Sequence, residues 1–140
     1  MLPSYEEDAE HLQFGTHFSY PNAIALSNVE VLALTTSRAN LQEKMQEENP
    51  SASFIPLYFN EVHSYVNKFT DIDSSKLSQL ENLKSTLLNK KFDSFEIATL
   101  INFQPESPQE AEDLLPSLRQ RFQPSELEVV LRELNDIIEG

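Results

Sequence analysis

FDSFEIATLINFQPESPQEAEDLLPSLRQRFQPSELEVVLREL, residues 92–134, is punctuated as three short helices in tandem. Asp93 and Glu96 stand at the spacing of a capping box, in which the two side chains reciprocally accept each other's backbone N–H groups. Phe92 and Ile97 flank that box as a hydrophobic staple, which fixes the angle at which the chain enters the helix. Ser107-Pro108-Gln109-Glu110 repeats the box, with proline at the first helical position, where its missing N–H costs nothing. The third helix has two equally good starts, Ser125 with Glu128 or Gln123 followed by Pro124. This density of caps specifies a compact helical module. The stretch contains no catalytic set, and it reads as part of a protein that works by being bound.

Apolar stripes extend that reading outward. Ile55, Tyr58/Phe59, Val62, Tyr65/Val66 and Phe69 recur at helical spacing, with Pro56 near the start, where proline is tolerated. Leu77, Leu80, Leu83, Leu87 and Leu88 form a second stripe after a turn over residues 71–75. Ile97, Leu100 and Ile101 form a third. Leu114, Leu115 and Leu118 follow, with Pro116 either kinking or ending their helix. Leu127, Val130, Leu131, Leu134, Ile137 and Ile138 give the last. Each stripe needs a facing surface, and several can cover one another in a bundle. The fold expected is mainly α, with residues 49–140 as the helical bundle. Pro116-Ser117-Leu118 reads as a helix stop, a serine that recaps the backbone and a leucine that plugs the core; Phe122 reads as a core anchor.

Residues 1–48 form the other part, an extended segment followed by a first helix, the candidate partner-binding part of the chain. Ser27 caps that helix with Glu30 three residues on. Val29, Leu32 and Ala33 share a face, and the helix can run on to Leu41 and Met45. Val31 and Leu34 fall outside the stripe, so the first turns are apolar over a wide arc. Such a helix is central to its own core or covered by a partner, and core burial is the simpler expectation. The polar run over residues 46–53, holding Pro50, is the natural internal linker. Before the helix, Leu12 and Phe14 alternate around Gln13, which suits one short strand with Gly15 to bend out of it. A lone strand needs partners for its N–H and C=O groups. It folds back on its own helices or joins another protein's sheet edge, and the residues leave both open.

Composition bounds the function. The chain has 140 residues, two glycines and no cysteine, which favours helices and excludes disulfides and thiolate metal sites. No apolar run approaches the ~20 residues that span a bilayer, and the acidic N-terminus is unlike a signal peptide. The net charge is −13, and the ten Lys and Arg are scattered except for Lys90-Lys91 and Arg119/Arg121. Phosphate backbones demand clustered cations, so little or no direct nucleic-acid binding is expected of this chain. The acidity serves solubility, or it docks basic partners. His11, His17 and His63 lack the spacing of metal ligands, and His63, off the stripe of its helix, reads as a solvated histidine. No phosphate-cradling or nucleophile-elbow motif is present, and nothing in the pattern predicts a buried carboxylate. No catalytic, cofactor-binding or metal-binding residue is assigned.

The residues also follow one family's pattern in order. Phe95-Glu96 with Ala98 and Leu100, Asn102, Pro105-Glu106-Ser107, Glu110-Ala111, Leu115-Pro116-Ser117-Leu118, Arg121-Phe122, Glu126-Leu127 and Leu131 resemble the small stalk subunits of RNA polymerases. That family includes the fourth subunit of RNA polymerase II and its archaeal counterpart. Glu7-Asp8-Ala9 to Leu12, with Phe14, Gly15 and Phe18, resembles its N-terminal segment. Residues 58–69 match more loosely and residues 40–53 do not. The resemblance implies a bundle like that of helicase-and-RNase-D C-terminal domains, and a nuclear, non-catalytic transcription subunit without cofactors. It implies a heterodimer with a larger stalk subunit, whose barrel domain binds nucleic acid, docked together on the polymerase core. In that heterodimer Leu12, Phe14 and Phe18 would meet the partner's sheet, and Leu26, Val29 and Leu32 would be the helical part of the contact. Leu26-Ser27-Asn28 with Glu30-Val31 also resembles the equivalent subunit of RNA polymerase III, and a stand-alone helical adaptor is the alternative from another class.

Overall fold

The computed structural model describes residues 8–15, 17–18, 23–51 and 56–140; Glu7 and Ile55, which figure in the sequence pattern, lie outside them. Among the described residues the chain is helical, with no strand. Its α-helices are α1 (Asn28–Glu48), α2 (Phe59–Phe69), α3 (Leu77–Asn89), α4 (Ser94–Phe103), α5 (Pro108–Leu114) and α6 (Pro124–Glu139). Short 3-10 turns sit at Ala9–His11, Ser74–Lys76 and Pro116–Leu118.

The caps that punctuate the sequence are built as read. Asp93 takes the Phe95 N–H at 2.9 Å while Glu96 takes the Asp93 N–H at 2.8 Å. Ser27 and Glu30 close the box that opens α1. At α5 the exchange is partly displaced: Ser107 Oγ accepts from Glu110 N–H, but the Glu110 carboxylate reaches past it to Glu106 N–H. For α6 the open choice falls to Gln123, whose box partner is Glu126, with Pro124 at the first helical position. Pro116 ends α5 at Leu114 and starts a 3-10 turn, because its ring cannot continue the helix.

With two glycines in the chain, helix ends that need a left-handed residue use other types. α3 closes in a Schellman motif: Phe92 N–H returns to the Leu87 carbonyl, Lys91 N–H returns to Leu88, and Lys91 adopts φ 76°. Leu87 and Phe92, both buried, supply the apolar contact that accompanies the motif. This tight reversal sets α4 against α3.

The core lies among α3, α4, α6 and the Pro116–Leu118 turn. Leu80, Leu87, Ile97, Leu100, Leu118 and Leu127 are its fully sealed large side chains. Each such burial contributes about 1.5–3 kcal/mol, which is why these four elements hold their arrangement. Phe122 stacks on Phe92 with ring centroids 4.0 Å apart and packs on the core's edge, the anchoring role its sequence position suggests.

One expectation fails inside this core. Glu96 is 0% exposed, a buried carboxylate that the sequence pattern does not announce. Its charge is held by Arg121 Nη1, at 2.8 and 2.7 Å from the two carboxylate oxygens, and by Ser117 Oγ at 2.6 Å. Arg121 also donates to the Lys91 carbonyl. The cluster therefore ties the α3–α4 reversal, the α4 N-terminus and the Pro116–Leu118 turn together. A buried charge is tolerated only when paired and fully hydrogen-bonded, and these partners meet that condition. Ser117 serves the core through Glu96 rather than as a backbone cap.

The N-terminal segment departs from the expected strand. Asp8 caps the Ala9–His11 turn by accepting from Glu10 N–H, and Leu12 turns left-handed at φ 57°. Asp8 and Gln13 then form a single antiparallel bridge, so the segment curls on itself instead of extending. Three alternating residues are a weak strand signal, and the local Asp8 bonds compete successfully with it. The curl packs on the Pro116–Leu118 turn, and Phe14 meets Phe95 at 5.1 Å between ring centroids.

Candidate partner-binding surface

α1 and α2 form a hairpin fastened to the bundle at its base. At that base, Asn28 N–H donates to Asn102 Oδ1 at 2.8 Å and Ala25 N–H to Ser94 Oγ at 2.9 Å. Lys84 bridges Glu30 at 3.0 Å and the Ala25 carbonyl at 3.1 Å. Beyond the base, α1 has α2 as its main neighbour. The seam between them is partly polar: Val66, Thr35 and Gln42 are its buried residues, and His63 Nδ1 lies 2.7 Å from Thr35 Oγ1. His63 is thus half-buried and hydrogen-bonded rather than solvated; the Phe59 ring stacks beside it, nearly parallel.

The outward side of the hairpin is apolar. Tyr58, Val62, Tyr65 and Phe69 follow one another at intervals of four, three and four residues along α2, and all four are exposed. Tyr65 and Phe69 lean together at 4.7 Å, with Lys68 Nζ 5.4 Å from the Phe69 centroid. Leu57, Leu34 and Leu41 are exposed as well. The helical stripe that the sequence suggests for α2 exists, but among its described residues only Val66 is buried. α1 is likewise not central to a core, since its wide apolar arc leaves Leu34 and Leu41 in solvent. Exposed apolar side chains repeated along one helix face are the kind of surface that interaction sites use.

The residues expected at the interface differ in exposure. Phe18 and Leu26 are exposed, at 66% and 43%. Leu12, Phe14 and Leu32 are half-buried. Val29 is sealed in the chain's own core, where it holds α1 in place. Periodicity could have found the Tyr58–Val62–Tyr65–Phe69 stripe, and did, but it carries no information on which stripes find a cover within the chain.

Asp8 Oδ2 and His11 Nδ1 are 2.5 Å apart, and this hydrogen bond lowers the carboxyl pKa and raises that of the imidazole. Glu10 brings a third ligand atom within 4.8 Å of both, but the group is solvent-facing and the Asp8–His11 contact accounts for it. No helix among the described residues is long and apolar enough to cross a membrane.

Fold and surface together define a helical module with a packed bundle and a hairpin presenting apolar side chains outward. The sequence profile of the RNA polymerase Rpb4 family matches residues 25–138, from just before α1 to the end of α6, and the chain belongs to that family. It is 31% identical to the DNA-directed RNA polymerase II subunit rpb4 of Dictyostelium discoideum, over 94% of this chain and 89% of that one. It is 26% identical to the protein of the same name from Schizosaccharomyces pombe, over 95% of this chain and 93% of the other.

Proposed function

We propose that this chain is the small stalk subunit of a nuclear RNA polymerase II. It is a non-catalytic subunit that pairs with the larger stalk subunit, docks with it on the polymerase core and supports initiation and factor recruitment. The observation that carries the reading is the near end-to-end correspondence with relatives named for RNA polymerase II, combined with an exposed apolar hairpin that a partner would cover.

In this reading residues 1–48 supply the partner contact together with the outer face of α2, and the remainder of residues 49–140, α3 to α6, supplies the bundle. Phe18, Leu26 and Leu32 contribute directly. Leu12 and Phe14 contribute from the curl against Phe95, and Val29 acts from beneath by fixing α1. The partner carries nucleic-acid recognition, which suits the −13 charge of this chain.

The reading is tested by tagging the chain in its native cells and identifying what copurifies by mass spectrometry. Recovery of a larger stalk subunit with the largest subunit of polymerase II supports it, and polymerase III subunits in their place would reassign the chain. Absence of any polymerase subunit would remove the proposal and leave a stand-alone helical adaptor. Within the complex, Phe14→Asp combined with Leu32→Asp should abolish pairing; normal heterodimer affinity would remove both residues from the interface.

A further inference from the structure

A second concave surface shares no residue with the α2 stripe. It is a groove of about 430 Å³ between the α4–α5 turn and α6, within the ~300–1,000 Å³ range of ordinary binding sites. Pro105, Leu131 and Leu134 are buried at its floor and Ile138 is half-buried beside them. Glu106, Glu128 and Glu139 line it, with Arg132 as the one cation among the lining residues. Arg132 is taken up by Glu128 at 3.2 Å, and nearby Lys76 by the Gly140 carbonyl. Glu106 and Glu139 have no cation within ion-pair reach among the described residues. In the Pro105-Glu106-Ser107 turn the structural duties fall on Ser107 and on the Glu106 N–H, which bonds Glu110. The Glu106 carboxylate has none.

We infer that this groove docks a basic segment of another protein, one apolar side chain seated on the floor and flanking lysines or arginines meeting Glu106 and Glu139. Charge selects this occupant. Nucleic acid would bring phosphates against unpaired carboxylates, and a second copy would bring another −13 chain. A basic segment is drawn in by the field of the whole acidic chain and held by the apolar floor. The inference goes beyond the polymerase assignment and stands or falls separately from it.

The test is an NMR titration of the isotope-labelled full chain, alone or in the complex in which it is purified. The probe is a twelve-residue peptide with a central leucine among lysines, compared with its glutamate counterpart. Saturable shifts at Glu106, Leu131, Asn135 and Ile138 are expected with the lysine peptide only, weakening as salt rises. Glu106→Gln with Glu139→Gln should weaken binding roughly tenfold. Asn135→Lys, an exposed change within the groove, should do the same without disturbing the fold. Glu133→Gln with Asp136→Gln, on the same helix outside the groove, should leave affinity within about twofold. Equal loss from that control pair would reduce the effect to diffuse acidity and overturn the inference. Equal binding of the glutamate peptide, or the same shifts with a twelve-nucleotide RNA, would also overturn it.

Discussion

The bundle of α3 to α6 and the hairpin of α1 and α2 both carry apolar side chains that need a cover, yet they end in opposite states. In the bundle, stripes from α3, α4 and α6 meet one another and seal leucines and isoleucines completely. In the hairpin, two helices face each other across a seam of Thr35, Gln42, His63 and Val66, and the aromatic stripe of α2 faces out. Two helices bury one face each; a third layer is needed to bury the rest, and this chain directs its third and fourth helices elsewhere. An apolar stripe states that a cover is required. It does not state whose.

The largest effect that separates the two regions is expected from Leu118→Ala. Leu118 is 0% exposed at the junction of the Pro116–Leu118 turn with the core. Its truncation should cost about 2–5 kcal/mol in denaturant unfolding, as cavity formation in a packed core does. A cost under about 1 kcal/mol would mean that the bundle is no better packed than the hairpin.

Tyr65→Asp with Phe69→Asp probes the other side. Both residues are more than half exposed, so the fold should change by no more than ~0.5 kcal/mol. Partner affinity should fall by two kcal/mol or more, about thirtyfold, because buried aromatic anchors carry most interface energy. Calorimetry of the purified pair reads this directly, and unchanged affinity would leave the α2 stripe without a role in the heterodimer.

The same contrast explains what the sequence could reveal. Helix starts at Ser27, Asp93 and Ser107 were legible because a cap is a local event, settled by residues three positions apart, whereas the start of α6 stayed open between Gln123 and Ser125 because both positions offer such a signal. The bundle's stripes were legible for the same reason. Glu96 was not, because its burial depends on Arg121, 25 residues on, and nothing local marks a carboxylate that will be paired later. The strand expected at Leu12 and Phe14 rested on alternation of three residues, which Asp8 overrode by capping a turn. Of the interface candidates, Val29 entered the core while Phe18 and Leu26 stayed out. Sequence spacing places all three near one another but does not rank their burial.

A smaller effect belongs to the seam between the regions. Asn102 Oδ1 is the acceptor for Asn28 N–H, one of the orphan donors at the start of α1. Asn102→Ala should cost about 1 kcal/mol and act locally. Amide exchange in the first turn of α1 should quicken roughly fivefold, while α6 amides keep their protection. If α6 loses protection equally, hairpin and bundle open as one unit and the division drawn between them fails.

The smallest change should strengthen the bundle instead of weakening it. Lys91 holds φ 76° at the close of α3, a conformation that L-residues adopt at a cost and glycine does not. The fold needs that angle, because the Phe92 and Lys91 N–H groups must return to the Leu87 and Leu88 carbonyls for α4 to enter at the right direction. Lys91 contributes its backbone there, including the carbonyl that accepts from Arg121, and its side chain is exposed. Lys91→Gly keeps every one of these bonds and removes the strain. It also loosens the unfolded chain, which offsets part of the gain. The net expectation is a stabilisation of about 0.5 kcal/mol, read as a rise in denaturation midpoint with unchanged slope. A destabilisation would mean that the Lys91 side chain does more for the α3–α4 reversal than its exposure suggests. The cap would then hold through that side chain as well as through its backbone.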